Sequence, residues 1–212
     1  YMRFVPDQAY EQFIKENEDW LADYALYMTL KDRFQGKDWQ SWPEDLKLRS
    51  PESLAAIRKE LSYPIGFQYF LQYKFFEQWT ALRTYAKEKG IRIIGDVPIY
   101  VPYDSVEVWK DPYLFQLDET LTPKAVAGCP PDAFSEDGQL WGNPLYDWDA
   151  MKRDGYGWWI RRIEGAAKLY DVLRIDHFRG MESYWAVPYG ETTAKNGHWV
   201  KGPGMDLVGV LT

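Results

Sequence analysis

The 212-residue chain carries a formal net charge of −7, and 46% of its residues are hydrophobic. This acidic balance argues against a nucleic-acid partner, because contacts to phosphate need a basic surface. A single cysteine, Cys129, excludes a disulfide within the chain, and no apolar stretch reaches the length of a membrane span. The N-terminus also lacks a signal-peptide pattern, so we expect a cytoplasmic protein that does not associate with a membrane.

Aromatic residues are unusually numerous, with 11 Trp, 16 Tyr and 10 Phe. Such side chains fill hydrophobic cores more often than they line binding sites, yet their flat rings also stack on the apolar faces of sugars. The composition therefore allows a carbohydrate-binding cleft without distinguishing it from a large aromatic core.

The first third of the chain is helical in pattern. Apolar residues at helical spacing predict one helix that Pro6 and Asp7 open, with Tyr10, Phe13 and Ile14 as its apolar residues, and a second over about 18–34. An irregular connection over 37–48 should follow. Ser50 before Pro51 is typical of a helix start, with a capping hydroxyl and a proline in the first turn. A long helix should follow from about residue 63 to Gly90, and its many aromatic residues predict burial on more than one side.

An apolar strand should follow Gly90 and end near Asp96. A helix, a glycine stop and a strand form the αβ half of a βαβ unit, whose strands are parallel. In α/β barrels, functional residues lie at the carboxyl ends of the strands, which is where Asp96 falls. The alternative is an aspartate that caps a turn.

Residues 103–144 are predicted to form a long connection with one helical turn at 105–109. Loops of this length in compact domains are usually lids, binding loops or disordered segments. Disorder is disfavoured, because Phe115, Phe134 and Trp141 would be costly to leave in water. We therefore expect a binding loop.

Residues 172–180 form a short apolar run that predicts a buried strand. Side chains two apart share a strand face, so Arg174 and Asp176 should point the same way. A guanidinium beside a carboxylate keeps that carboxylate ionised, as a nucleophile requires. A structural ion pair at a strand end explains the same pattern equally well.

Further along, 184–188 is apolar, 198–204 is typical of a loop or a short strand, and 207–211 is an apolar tail. Two parallel strands with helices between them indicate an α/β protein. Eight strands close a barrel, typically within about 250 residues, and the predicted strands are too few for that.

Three motifs in order resemble the 4-α-glucanotransferases, also known as amylomaltases or disproportionating enzymes. The first motif is Ile94-Gly95-Asp96-Val97-Pro98-Ile99-Tyr100-Val101. The second comprises Ala127-Gly128-Cys129-Pro130-Pro131-Asp132 and Gly138-Gln139-Leu140-Trp141-Gly142-Asn143-Pro144, and the third is Arg174-Ile175-Asp176-His177-Phe178-Arg179-Gly180. A lone Arg-x-Asp is a weak signal, whereas three ordered motifs are a strong one.

This resemblance implies an α/β fold that is part of a (β/α)8 TIM barrel of the α-amylase type, with a helical insertion and truncated before the barrel closes. Residues 1–62 would be the helical insertion, and residues 63–212 a partial catalytic barrel that includes the substrate loop 103–144. The implied activity is the transfer of α-1,4-glucan segments between maltooligosaccharides, with maltose and glucose as smaller partners and with no cofactor.

The catalytic assignments also come from the resemblance. Asp176 matches the family's nucleophile and Arg174 the arginine that orients it. In a retaining mechanism a carboxylate attacks the anomeric carbon while a second carboxyl group protonates the leaving oxygen, and an acceptor sugar then resolves the glycosyl-enzyme ester.

Five further residues match substrate-binding positions of the family. Asp96 lies on the first signature strand, and His177 follows the nucleophile. Asp132, Gln139 and Trp141 lie in the substrate loop.

The chain also departs from the family pattern. The acid/base glutamate and a third aspartate belong to later strands in the family, and an early-barrel tyrosine is missing here. The remaining carboxylates Glu182, Glu191 and Asp206 match neither motif. We therefore expect the 212 residues alone to lack transferase activity.

Two alternatives to a transferase stay open at this point. An α-glucan hydrolase would share the nucleophile strand, and a non-catalytic carbohydrate-binding domain would use the aromatic residues as platforms. A purely helical interaction protein does not explain the two strands. No ligand spacing predicts a metal site, since His177 and His198 are far apart in sequence.

Overall fold

A computed structural model describes residues 1–212, which form two compact units, Tyr1–Ile91 and Arg92–Thr212. The predicted boundary between residues 62 and 63 lies inside the first unit, at the start of its last helix. None of the helices combines the length and the apolar character that crossing a membrane requires.

The first unit consists of helices. They are α1 (Gln8–Glu16), α2 (Glu18–Arg33), α3 (Glu44–Lys47), α4 (Pro51–Glu60) and α5 (Ser62–Glu88). The Asp7 carboxylate caps α1 by accepting a hydrogen bond from the Tyr10 amide at 2.9 Å. The predicted helices are present, and the connection predicted as irregular contains α3 and a 3₁₀ turn at Trp39–Ser41.

The start of α4 differs from the prediction in its capping. Helix α4 does begin at Pro51, but the Ser50 side chain caps no backbone amide. Its hydroxyl instead donates to the Glu52 carboxylate at 2.9 Å. Proline at the first helical position has no N–H group that needs a partner, and it therefore favours the start of this helix without a side-chain cap.

The core of the first unit lies between α2 and α5. Helix α2 buries a stripe at helical spacing, comprising Leu21, Ala25, Leu26 and Leu30. Helices α1 and α4 also pack on α5, where rings from the N-terminal segment and α1 meet the aromatic residues of α5.

Burial of α5 on more than one side was expected and is wrong. Only Ile65 and Gln68 of this helix are buried, because α1, α2 and α4 leave one of its faces uncovered within the unit. That face exposes an apolar row comprising Tyr63, Phe67, Leu71, Phe75, Leu82 and Tyr85.

The second unit contains every strand. They are β1 (Ile94–Val97), β2 (Ala125–Cys129), β3 (Gln139–Pro144), β4 (Val172–Ile175), β5 (Ser183–Pro188) and β6 (His198–Lys201). Its helices are α6 (Val106–Lys110), α7 (Trp148–Arg153), α8 (Gly157–Leu169) and α9 (Met205–Leu211).

Strands β1 and β4 pair in parallel, as predicted, with Asp96 opposite Arg174 and Val97 opposite Ile175. Helix α8 leads into β4 and packs on both strands, which gives the expected crossover. Gly95 allows close packing here, because a Cβ at this position would lie 2.1 Å from the Tyr170 ring.

The segment 103–144, predicted to be mostly loop, contains regular structure. Strands β2 and β3 form an antiparallel hairpin within the four-stranded sheet β3-β2-β5-β6. The small residues of β2 gave little strand signal, since strand patterns are read from branched and aromatic side chains. The burial argument holds for Phe115 but is wrong for Phe134, which is 99% exposed at the hairpin tip.

Tyr146 lies at the centre of the second unit's core. Its ring is fully buried and packs against the rings of Tyr100, Phe115, Trp158 and Trp159, at centroid distances of 5.4–5.8 Å. Its hydroxyl donates to the Ile99 carbonyl at 2.7 Å. This core therefore supports the segment that follows β1.

Candidate active site

Parallel pairing brings Asp96 and Arg174 together at the ends of β1 and β4. The Arg174 Nε donates to Asp96 Oδ1 at 3.0 Å, and its Nη2 donates to Asp96 Oδ2, so the pair is bidentate. The Arg174 guanidinium lowers the pKa of the Asp96 carboxyl, and Asp96 raises the pKa of Arg174. The two side chains are 49% and 68% exposed, so this ion pair is open to solvent.

Two predictions about this strand are wrong. Strand β4 is not buried, since its residues alternate between exposed and half-buried. The Arg174 guanidinium also pairs with Asp96 rather than with Asp176. Neighbouring strands lie about 4.8 Å apart, closer than residues two apart along one strand, so the cross-strand partner is nearer. The charge of Asp176 adds a smaller upward effect on the pKa of Arg174.

Asp176 directly follows β4 and has an exposed side chain. Its backbone amide donates to the Val97 carbonyl at 2.9 Å, which continues the β1–β4 ladder by one hydrogen bond. The carboxylate is therefore held at the carboxyl end of the parallel pair, beside the Asp96–Arg174 ion pair. A nucleophilic carboxylate needs both features, accessibility and a fixed backbone.

His177 has a left-handed backbone (φ 50°) and begins the 3₁₀ turn at Phe178–Met181. Its ring meets Trp141 edge to face, with centroids 4.8 Å apart and an interplanar angle of 89°. Burial lowers the pKa of His177 below its ordinary value, against the opposing charge of Asp176. The imidazole is therefore neutral at pH 7 and can both donate and accept hydrogen bonds.

Strand β3 supplies Trp141, which contacts this histidine, and Gln139, which contacts Trp141. Trp141 is 36% exposed, and its indole Nε1 donates to Gln139 Oε1 at 3.1 Å. The side chains of Gln139, Trp141 and His177 thus form a connected group that combines an apolar ring with polar edges.

Asp132 lies apart from this group, at the tip of the β2–β3 hairpin. Its Oδ1 accepts hydrogen bonds from the backbone amides of Phe134 and Ser135, both at 2.8 Å. This Asx turn orders the tip and leaves the other carboxylate oxygen of Asp132 outside it.

Sequence patterns missed Arg162 on α8 as a residue that supports the site. Its guanidinium donates to the Pro98 carbonyl at 2.5 Å and to the Ile99 carbonyl at 3.1 Å, directly after β1. It also lies over the rings of Trp158 and Trp159, at 5.2 and 5.0 Å. The Trp-Trp-x-x-Arg run on a helix is the sequence signal that could have indicated these contacts.

The remaining carboxylates of the last third have other partners. Glu182 accepts from the Ser183 hydroxyl at 2.5 Å, Glu191 accepts from the Asn196 amide at 2.9 Å, and Asp206 pairs with Lys152. No three His, Cys, Asp or Glu side chains of the chain group as a metal-ligand set.

Acidic side chains lie at the carboxyl ends of two parallel strands that are joined through a helical crossover. This arrangement is that of an α/β protein and is consistent with a fragment of a TIM-barrel-type enzyme. Residues 4–212 match the sequence model of the 4-alpha-glucanotransferase family. The chain belongs to this family.

Individual relatives agree with this assignment. The chain is 51% identical to a 4-alpha-glucanotransferase of Clostridium butyricum, covering 100% of this chain and 44% of the relative. It is 53% identical to one of Aquifex aeolicus, covering 93% and 40%. The structure resembles an amylomaltase from Streptococcus agalactiae solved in complex with acarbose, with a TM-score of 0.91, 46% identity, and coverage of 95% of this chain and 41% of that one.

The chain therefore spans less than half the length of the curated relatives it matches.

Proposed function

We propose that this chain supplies the nucleophile part of a retaining 4-α-glucanotransferase, which transfers α-1,4-glucan segments between maltooligosaccharides. The observation that carries the proposal is the exposed carboxylate of Asp176 at the end of β4, beside the Asp96–Arg174 ion pair. Membership of the 4-alpha-glucanotransferase family supports the reaction, and acarbose in a relative supports a maltooligosaccharide as substrate.

In this mechanism Asp176 attacks the anomeric carbon of the donor and forms a glycosyl ester, while the bond to the leaving oxygen breaks. The Arg174 guanidinium, held by Asp96, maintains a positive charge near Asp176. The leaving oxygen takes its proton from a carboxylic acid, the role that the family's acid/base glutamate fills. A hydroxyl of maltose or glucose then attacks the glycosyl ester, and its proton passes to the conjugate base of that carboxylic acid. The bond from the anomeric carbon to Asp176 breaks in the same step, which restores the Asp176 carboxylate.

The sugar-binding part of the proposal concerns His177, Trp141, Gln139 and Asp132. The Trp141 ring offers an apolar face to a pyranose, and His177 and Gln139 add hydrogen-bonding atoms at its edges. Asp132 keeps one carboxylate oxygen available at the hairpin tip. A reducing cytoplasmic compartment belongs to the same proposal and is supported by the single, unpaired Cys129.

Calorimetric titration with acarbose tests the proposal. We expect the wild-type chain to bind, and Trp141→Ala to weaken binding about fivefold, the equivalent of about 1 kcal/mol of ring stacking. Asp176→Asn should retain most of the affinity, because it removes the nucleophile rather than the sugar contacts. Trp79→Ala on α5, far from these residues in sequence, is the matched control. An absence of binding by the wild type, or equal losses for Trp141→Ala and Trp79→Ala, would overturn the proposal.

A further inference from the structure

The hairpin tip, residues 130–138, has little apolar anchorage of its own. Phe134 is fully exposed there, and Glu136 and Asp137 are also exposed. Its internal hydrogen bonds are local: the Asp132 Asx turn, and the Ser135 hydroxyl donating to the Gly138 carbonyl at 2.7 Å. Segments with few buried contacts open easily, so contacts from outside the tip decide how firmly it is placed.

Those outside contacts come from residues 190–197, the loop between β5 and β6, which we call the strap. The backbone amide of Ala194 donates to the Asp137 carbonyl at 2.9 Å. The Lys195 ammonium pairs with the Asp137 carboxylate at 2.6 Å. A Cβ on Gly138, which has φ +68°, would lie 2.9 Å from the Ala194 Cβ, so the strap and the base of the tip are in close contact.

The strap is in turn fixed to the sheet by Trp185 of β5. The indole Nε1 of Trp185 donates to the Ala194 carbonyl at 2.8 Å. Ala194 is fully buried and packs in a small cluster with Val126 and Val187, against which Trp185 and Leu140 also pack. Trp185, Ala194 and Asp137 thus form a continuous chain of contacts from the sheet to the hairpin tip.

We propose that the strap is a positioning element of the glucan site: Trp185, acting through Ala194, holds the hairpin tip in the place where Asp132 and the start of β3 meet the sugar. Trp185 itself is a positioning residue, since it lies on β5 and acts through the strap. The claim that the strap affects glucan binding rests on the proposed function, whereas the claim that it holds the hairpin tip in place does not.

The test combines hydrogen exchange with ligand binding on the full chain. Trp185→Phe keeps an aromatic ring but removes the indole donor, and we expect amide exchange in residues 132–138 to rise about fivefold, the equivalent of one neutral hydrogen bond. Exchange in β1 and β4 should stay unchanged. The matched control is Trp199→Phe, because Trp199 pairs directly across from Trp185 in the sheet and is 43% exposed.

A second variant guards against a folding defect. Lys195→Met removes only an exposed ion pair, and we expect a smaller rise in tip exchange, about twofold. Unchanged tip exchange in both variants, or an equal rise in Trp199→Phe, would overturn the proposal that the strap holds the hairpin tip.

Calorimetry with maltoheptaose tests whether the strap affects glucan binding. Weaker binding by Trp185→Phe than by Trp199→Phe supports a positioning role. Faster tip exchange with wild-type affinity would show a merely structural strap and overturn that role. A wild-type chain that binds no maltoheptaose would overturn the proposed function together with the role in glucan binding, while the exchange data would still decide whether the strap holds the tip.

Discussion

Replacing Arg162 by methionine should destabilise the second unit although Arg162 is only half-buried. A hydrogen bond from a charged donor contributes about 1.5–3 kcal/mol. Arg162 makes two to the Pro98 and Ile99 carbonyls and a longer one, at 3.4 Å, to the Tyr146 hydroxyl. The Ile99 carbonyl keeps the Tyr146 hydroxyl as a donor, and Pro98 is exposed and can recruit water. The methionine stem retains part of the packing on the tryptophans. We therefore expect a loss of about 2 kcal/mol, near the lower end of that range.

Urea unfolding followed by tryptophan fluorescence measures this loss. Arg161→Met is the matched control, since Arg161 is the exposed neighbour on the same helix and should change the unfolding free energy by less than about 0.5 kcal/mol. Because Arg162 and Tyr146 share the Ile99 acceptor, Tyr146→Phe should couple to Arg162→Met by about 0.5–1 kcal/mol in a double-mutant cycle. Equal losses for the two arginine variants, or strictly additive effects with Tyr146→Phe, would refute this reasoning.

Three further predictions follow from the site and the hairpin. Burial lowers the pKa of His177 below 6.5, so the unfolded chain binds more protons than the folded one between pH 6.5 and the folded-state pKa, and stability falls as the pH drops through that range. His177→Asn tolerates the left-handed backbone and should flatten this part of the plot of urea midpoint against pH. Superimposable plots for the two chains would contradict the prediction. Incubated with maltotriose, the chain should produce no longer or shorter maltooligosaccharides on chromatography, because Glu182, Glu191 and Asp206 have partners away from Asp176; new oligosaccharides would disprove this. Phe134→Ser should change the unfolding free energy by less than about 0.5 kcal/mol, and a clearly larger loss would mean that the ring packs against the fold.

Local signals in the sequence predicted much of the fold. Apolar spacing predicts α1 and the bounds of α2, and a helix–glycine–strand order predicts the β1–β4 parallel pair. The position of Asp96 at a strand end predicts a functional residue there in an α/β fold, and the spacing of Arg174 and Asp176 places both on one strand face.

The sequence could not predict which residues are partners across neighbouring strands. Which carboxylate takes the Arg174 guanidinium depends on the β1–β4 register, and a register joins residues 78 positions apart. The same limit applies to the β2–β3 hairpin, because β2 has small side chains and is stabilised by pairing with β3 on one side and β5 on the other. The sequence did not predict the exposure of Phe134, because aromatic residues are buried on average. Its exposure follows from its position at the tip of a hairpin that the sequence did not predict.

The nucleophilic role of Asp176 is tested most directly with α-maltotriosyl fluoride. Fluoride leaves without a proton, so formation of the glycosyl ester requires the nucleophile but no general acid. Intact-mass spectrometry should show one maltotriosyl adduct on the wild-type chain, mapped by proteolysis to the peptide that contains Asp176, and no adduct on Asp176→Asn. An unlabelled wild type, or equal labelling of both chains, would contradict the assignment.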